Sequence, residues 1–210
     1  MESGDARPHL PDGLLAALRA DPTRAPEQLA LAAADRHGPA AAEWVASHGG
    51  RSEPHDLARQ AKRSHARLAR FGGAATGVGG IVTVVPDLAL LLWIQSRMVF
   101  LIAAAHGYDP RDRMRPAELL VLWDLFDDPQ AARAALDGAA GPLAVTAATR
   151  RLDRGSEERL ADRLMRAAAR HGVRRLGGRL IPGFAVLVNS IGNERSTRAL
   201  ADDAIRFYGG

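Results

Sequence analysis

Seven histidines, two adjacent carboxylate pairs and a glycine-rich run are the residues whose chemistry would matter first. Imidazoles bind a metal or move protons when they converge with each other or with carboxylates. Here His9, His37, His48, His55, His65, His106 and His171 are scattered, with no HxxxH or HExxH spacing. Asp127-Asp128 and Glu157-Glu158 both fall where helices are expected to start, and a favourable helix dipole explains them without acid–base work. The chain has no cysteine, so thiol chemistry and disulfides are excluded, and no Gly-x-Ser-x-Gly elbow offers a serine nucleophile. The glycines of 72–80 invite a phosphate-loop reading, but no Gly-x-x-x-x-Gly-Lys-Ser/Thr is present, and Gly77-Val78-Gly79 lacks the third glycine of a dinucleotide fingerprint. No metal, cofactor or catalytic residue is expected.

What remains is polar chemistry set against an oily block. Phe71–Tyr108 is 38 residues long and holds only Asp87 and Arg97 as fixed charges. Asp87, Gln95 and Arg97, with Asn189 in a second apolar segment, are candidates for a polar pocket that takes a head group or a small ligand. The same residues can instead be a helix-start carboxylate and groups bonded to backbone or nearby side chains.

Arginine is the other signal. Of the 28 basic residues all but Lys62 are arginine, a skew that a GC-rich genome explains without function. Position is more telling. Arg59, Lys62, Arg63, Arg67 and Arg70 recur at intervals of three and four, so they share a helix face. Arg159, Arg163, Arg166, Arg170 and Arg174 repeat the pattern, followed by Arg175. Each row stands directly before a segment almost without charge. A solvated helix face is one reading. The other is a basic collar offered to anionic lipid, at roughly 1 kcal/mol per side chain close to the surface.

The elements that position these residues are helical. Alanine, glycine, leucine and arginine dominate, while β-branched and aromatic residues are few, which favours helix over sheet. Ser52–Ala69 reads as a helix with Leu57, Ala61, His65 and Leu68 on its apolar side. Gly73, Gly77 and Gly80 put small residues on helix faces, where another backbone can come close, although the run Ile81–Val85 is also compatible with a strand. Pro86-Asp87 opens a helix that runs to His106 and stops at Gly107. Further helices are expected over 26–48 (in two pieces, broken at Gly38-Pro39), over 116–126 and 129–137, and from Pro142 to Arg151. Three more follow: one from the Ser156 cap, one from Ile181 to Ile191, and Ser196–Tyr208 packed through Leu200, Ala204 and Phe207.

The expected fold is therefore all-α, one single-domain bundle of eight to ten helices around a glycine-rich apolar helical hairpin. Residues 1–25 form a partly ordered N-terminal arm and 26–210 the helical domain. The longest uncharged runs, Phe71–Pro86 and Leu180–Asn193, have 16 and 14 residues, short of the roughly 18–20 that a spanning helix needs. No secretory leader is visible in the first twenty residues, so the default address is cytoplasmic. Charge is polarised: net −3 over residues 1–50, +4 over 51–70 and +6 over 150–180.

Gly-Ala-Ala-Thr-Gly at 73–77, Val-Pro-Asp-Leu at 85–88, Gln95-Ser-Arg97 and His-Gly-Tyr-Asp at 106–109 resemble the EcsC family. Ile-Pro-Gly at 181–183, Asn189 and Arg-Phe-Tyr at 206–208 look like its second signature, and the similarity covers about residues 26–208. The resemblance implies a bacterial all-helical protein associated with membranes, in a family named after a protein encoded beside an ABC transporter. It carries over no catalytic residue.

Together these readings point to a non-enzymatic peripheral membrane or lipid-binding protein on the inner face of the membrane, accessory to transport or secretion. Its partners would be an anionic membrane surface or lipid, and a membrane transporter or another protein. The rival is a soluble scaffold or accessory subunit that docks a partner through the apolar hairpin. Nucleic acid fits poorly, given the acidic N-terminal third and the few aromatics.

Overall fold

The computed structural model describes residues 9–21, 24–48, 52–72, 84–138 and 193–210. They form seven helices and no strand: α1 (Leu14–Ala20), α2 (Ala25–His48), α3 (Pro54–Gly72), α4 (Val84–Ala105), α5 (Arg115–Leu122), α6 (Pro129–Leu136) and α7 (Asn193–Gly209). The all-α expectation holds. The hairpin glycines Gly73, Gly77 and Gly80, and the helices expected between Pro142 and Ile191, lie outside the described residues.

α4 is the centre. From Ala89 to Ala105 every side chain is buried except Leu90, which is partly covered, and Arg97, which is exposed. A helix that is apolar all round must be enclosed by others, and α2, α3 and α7 pack against it. Met98, Val99, Phe100 and Ile102 have 1% or less of their surface exposed, and each contributes roughly 1.5–3 kcal/mol by leaving water. The helix ends as its glycine predicts. Gly107 takes φ +85°, its N–H bonds the Ala104 carbonyl at 3.0 Å, and the Tyr108 N–H bonds Ala103 at 3.1 Å. These two bonds satisfy carbonyls that the helix would otherwise leave open.

The smaller helices brace this core. Leu14 and Leu18, one turn apart on α1, are buried against α2. α6 starts where Asp128-Pro129 places it, with the Asp128 side chain accepting from the Ala131 N–H at 2.8 Å. At its other end the Ala135 carbonyl accepts from Arg24 Nη2 at 3.3 Å, which ties α6 to the start of α2.

Two expectations fail, each for a tertiary reason. Gly38-Pro39 does not split the second helix: α2 runs unbroken for 24 residues with Pro39 inside it. Gly38 has a different task. A Cβ built there would stand 2.7 Å from the Pro110 carbonyl oxygen, so the missing side chain lets the 109–111 loop close onto α2. The last helix also buries a different aromatic from the one expected. Leu200 and Ala204 are buried, but Phe207 is 40% exposed and Tyr208 takes the inner place. Both residues keep helical spacing to Leu200 and Ala204, and Tyr208 is the one that finds a buried partner, Glu118.

Gly38→Ala separates these effects by sign. Helix propensity alone would stabilise the chain by about 1 kcal/mol, whereas the clash with Pro110 should destabilise it by roughly 1–3 kcal/mol. A urea titration that shows a gain in stability would contradict the close packing of the 109–111 loop on α2.

Candidate functional site

The outer face of α3 carries the first candidate. Arg59, Arg63 and Arg67 stand four residues apart and all are exposed. None of the three forms an ion pair among the described residues. Lys62 leaves the row: its Nζ bonds Asp202 of α7 at 2.5 Å. Other described arginines are neutralised locally. Arg133 pairs with Asp137 at 2.6 Å and Arg198 with Glu194 at 2.6 Å, while Arg206 pairs with Asp203. Arg133 also holds the Asp137 carboxyl below the usual carboxylate range by its hydrogen bond. Arg59, Arg63 and Arg67 of α3, like Arg195 of α7, are therefore available in a way that Arg133, Arg198 and Arg206 are not.

Arg70 belongs to the same helix and Asp87 to the first turn of α4, at positions whose side chains are outside the described set. Arg159, Arg163, Arg166, Arg170, Arg174, Arg175 and Asn189 lie outside the described residues altogether.

The polar groups of the apolar block separate. Gln95 is 5% exposed, and its Nε2 donates to Thr197 Oγ1 at 3.2 Å and to Ser196 Oγ at 3.4 Å. It therefore acts as a polar link between α4 and α7. Arg97, two positions on, is exposed on a different side of the helix. The structure does not bring these two side chains together.

Sequence reasoning missed a third polar group, built from the motifs that carry the family resemblance. Arg115 and Glu118 are both buried at the start of α5 and form an ion pair. Tyr208 Oη donates to Glu118 Oε2 at 2.7 Å. The Arg115 guanidinium lies 5.2 Å from the Tyr108 ring centre and 5.6 Å from that of Tyr208, and the two rings are 5.1 Å apart, so one cation meets an aromatic pair. Burial pushes the Glu118 carboxyl up, against the opposing effects of Tyr208 and Arg115. Burial, followed by the Glu118 charge, pushes the Tyr208 phenol well above its ordinary range. The cluster ties the residues after α4 to α5 and to the end of α7. The i,i+3 spacing of Arg115 and Glu118 is visible in the chain, but nothing local signals that Tyr208 meets them.

Beside it, Glu53, Pro54, His55, His106, Ile205, Arg206, Gly209 and Gly210 line an open cleft of about 680 Å³. Burial and then the His55 charge push the His106 imidazole down. No group of three or more potential metal ligands exists among the described residues, and the cleft has no nucleophile paired with a base.

Removal of one partner from the buried ion pair should be far worse than removal of both. Arg115→Met leaves the Glu118 carboxylate buried beside Tyr208 and should cost roughly 3–5 kcal/mol, whereas Arg115→Met with Glu118→Leu should recover most of that loss. Equal losses in the two variants, measured by denaturant unfolding, would mean that the charges do not depend on each other.

Comparison with known proteins places these features. The profile of the EcsC protein family matches residues 52–209, which takes in α3 to α7 and every motif quoted above. Protein EcsC of Bacillus subtilis (strain 168) is 32% identical over 74 residues, 35% of this chain. The chain thus spans about a third of that relative, 31% of its length. No solved structure matches the chain at a significant level. On the extent of the profile match, the chain belongs to the EcsC protein family.

Proposed function

We propose that this chain is a non-enzymatic peripheral membrane protein that meets anionic lipid through arginine side chains, as an accessory to transport or secretion. The observation that carries the reading is the row Arg59, Arg63 and Arg67: exposed, on one face of α3, and without ion pairs among the described residues. Arg70 and the second row, Arg159, Arg163, Arg166, Arg170, Arg174 and Arg175, extend the same proposal. No described helix is long and apolar enough to cross a membrane, which suits attachment at a surface. The lack of any catalytic constellation in the motifs and the absence of a metal-ligand cluster among the described residues suit a binding role. The inner face of the membrane supplies the anionic lipid such a row would contact.

Co-sedimentation with vesicles tests this. The chain should bind phosphatidylserine-containing vesicles and release them as salt rises, because surface attraction is screened. At about 1 kcal/mol per basic residue, Arg63→Gln with Arg67→Gln should weaken partitioning about thirtyfold. Equal binding to neutral vesicles would overturn the electrostatic reading. Failure to bind any vesicle, with monodisperse behaviour in the absence of detergent, would favour a soluble scaffold that docks a protein partner.

A further inference from the structure

Two buried histidines belong to helices that pack against α4. His37 of α2 is 6% exposed and His65 of α3 is 4% exposed. The His37 ring centre lies 4.4 Å from that of Trp93 and 6.5 Å from that of Phe100, both on α4. His65 Nδ1 is 2.9 Å from the Ala61 carbonyl. A carbonyl only accepts, so Nδ1 carries the proton and Nε2 is left as a bare acceptor. Nε2 of both rings is buried without a hydrogen-bond partner. A third helix adds charge. Arg97 of α4 acts on both rings, and Arg36 of α2 acts on His37.

Two imidazoles in such a place fit only as neutral groups. A proton on either Nε2 would find no acceptor, and the new cation would be buried beside the other ring and near Arg97. The groups that act on the pair are of one kind: Arg36 from α2, Arg97 from α4 and the opposite imidazole, with no carboxylate among them. From these two buried, unpartnered rings on the helices that pack against α4, we infer that the packing of α2 and α3 on α4 is an acid-sensitive latch, closed while both rings are neutral and loosened when they take up protons. This is independent of the lipid reading.

The sign follows from the direction of the shifts. Burial, then the neighbouring charges, pushes His37 down to about 3. Burial pushes His65 down to about 4, against its Ala61 hydrogen bond and with help from Arg97. An exposed imidazole takes its proton near 6.5. The latch is therefore fully closed above about pH 6.5, and it weakens as pH falls from there towards the lowered values. At pH 5 each ring should shift the closed-to-open balance about thirtyfold relative to pH 7.5.

Hydrogen exchange followed by mass spectrometry on the full chain tests this, with rates corrected for their intrinsic pH dependence. Peptides of α2 should lose at least tenfold in protection between pH 7.5 and pH 5, while those of α5 and α6 lose much less. His37→Phe with His65→Gln should abolish the difference. His65→Gln alone leaves one titrating ring, so it should cut the acid response about thirtyfold. An unchanged wild-type α2 between the two pH values would overturn the latch. Loss of protection in all helices together would overturn it too, as would an acid response that survives in the double variant. If the double variant does not fold, the wild-type and His65→Gln arms still decide.

Discussion

A helix with no polar face has to be surrounded, and α4 imposes that demand on everything else described. Its turns from Ala89 to Ala105 meet water at Arg97 and, in part, at Leu90. One neighbour cannot cover such a cylinder, so α2, α3 and α7 pack around it together. The same enclosure governs the polar groups that accompany α4. Gln95 finds hydroxyls on α7, and the two histidines that face the helix stay neutral. In a dry interior, each polar atom either has its partner or carries no charge.

Charge is sorted between inside and outside by the same logic. Arg115 is buried against a pair of tyrosines and Glu118, where an unpaired guanidinium would be costly. Arg133 of α6 and Arg198 and Arg206 of α7 have an acid three or four residues away and are neutralised along their own helices, whereas Arg195 is exposed without one. Arg63 and Arg67 have neither a buried partner nor an acid three or four residues away, and Arg59 forms no ion pair with Asp56, three residues before it. Exposed pairs such as Arg198–Glu194 add little to stability, so their main effect is on the field that the surface presents. On α6 and α7 the pairs cancel that field, and on α3 it persists.

Much of this was legible in the chain because the signals are local. Pro86-Asp87 and Gly107 bracket α4, Asp128-Pro129 opens α6, and the spacing of Arg59, Arg63 and Arg67 already puts them on one face. What could not be read depends on residues far apart in sequence. Gly38 looks like a helix breaker until the Pro110 carbonyl is seen against it. Tyr208 meets Glu118 across a separation of 90 residues, and no periodicity announces such a pairing. His37 reads as one of several scattered histidines, because its neighbour Trp93 lies on another helix. Phe207 and Tyr208 are adjacent aromatics, and the choice of which one turns inward belongs to the partner surface, not to their hydrophobicity.

The central claim is that protein encloses α4 and that the charged face of α3, rather than this apolar helix, is what meets a membrane. The chain has no cysteine, so single cysteines report cleanly. Ala103→Cys sits on the covered side of α4 and Arg97→Cys at the exposed position between Ala89 and Ala105. With anionic vesicles present or absent, the thiol at 97 should react with a water-soluble maleimide at once, while that at 103 stays protected and out of reach of a lipid-soluble quencher. Rapid labelling at 103 in the free protein, or quenching there once vesicles are added, would contradict the account.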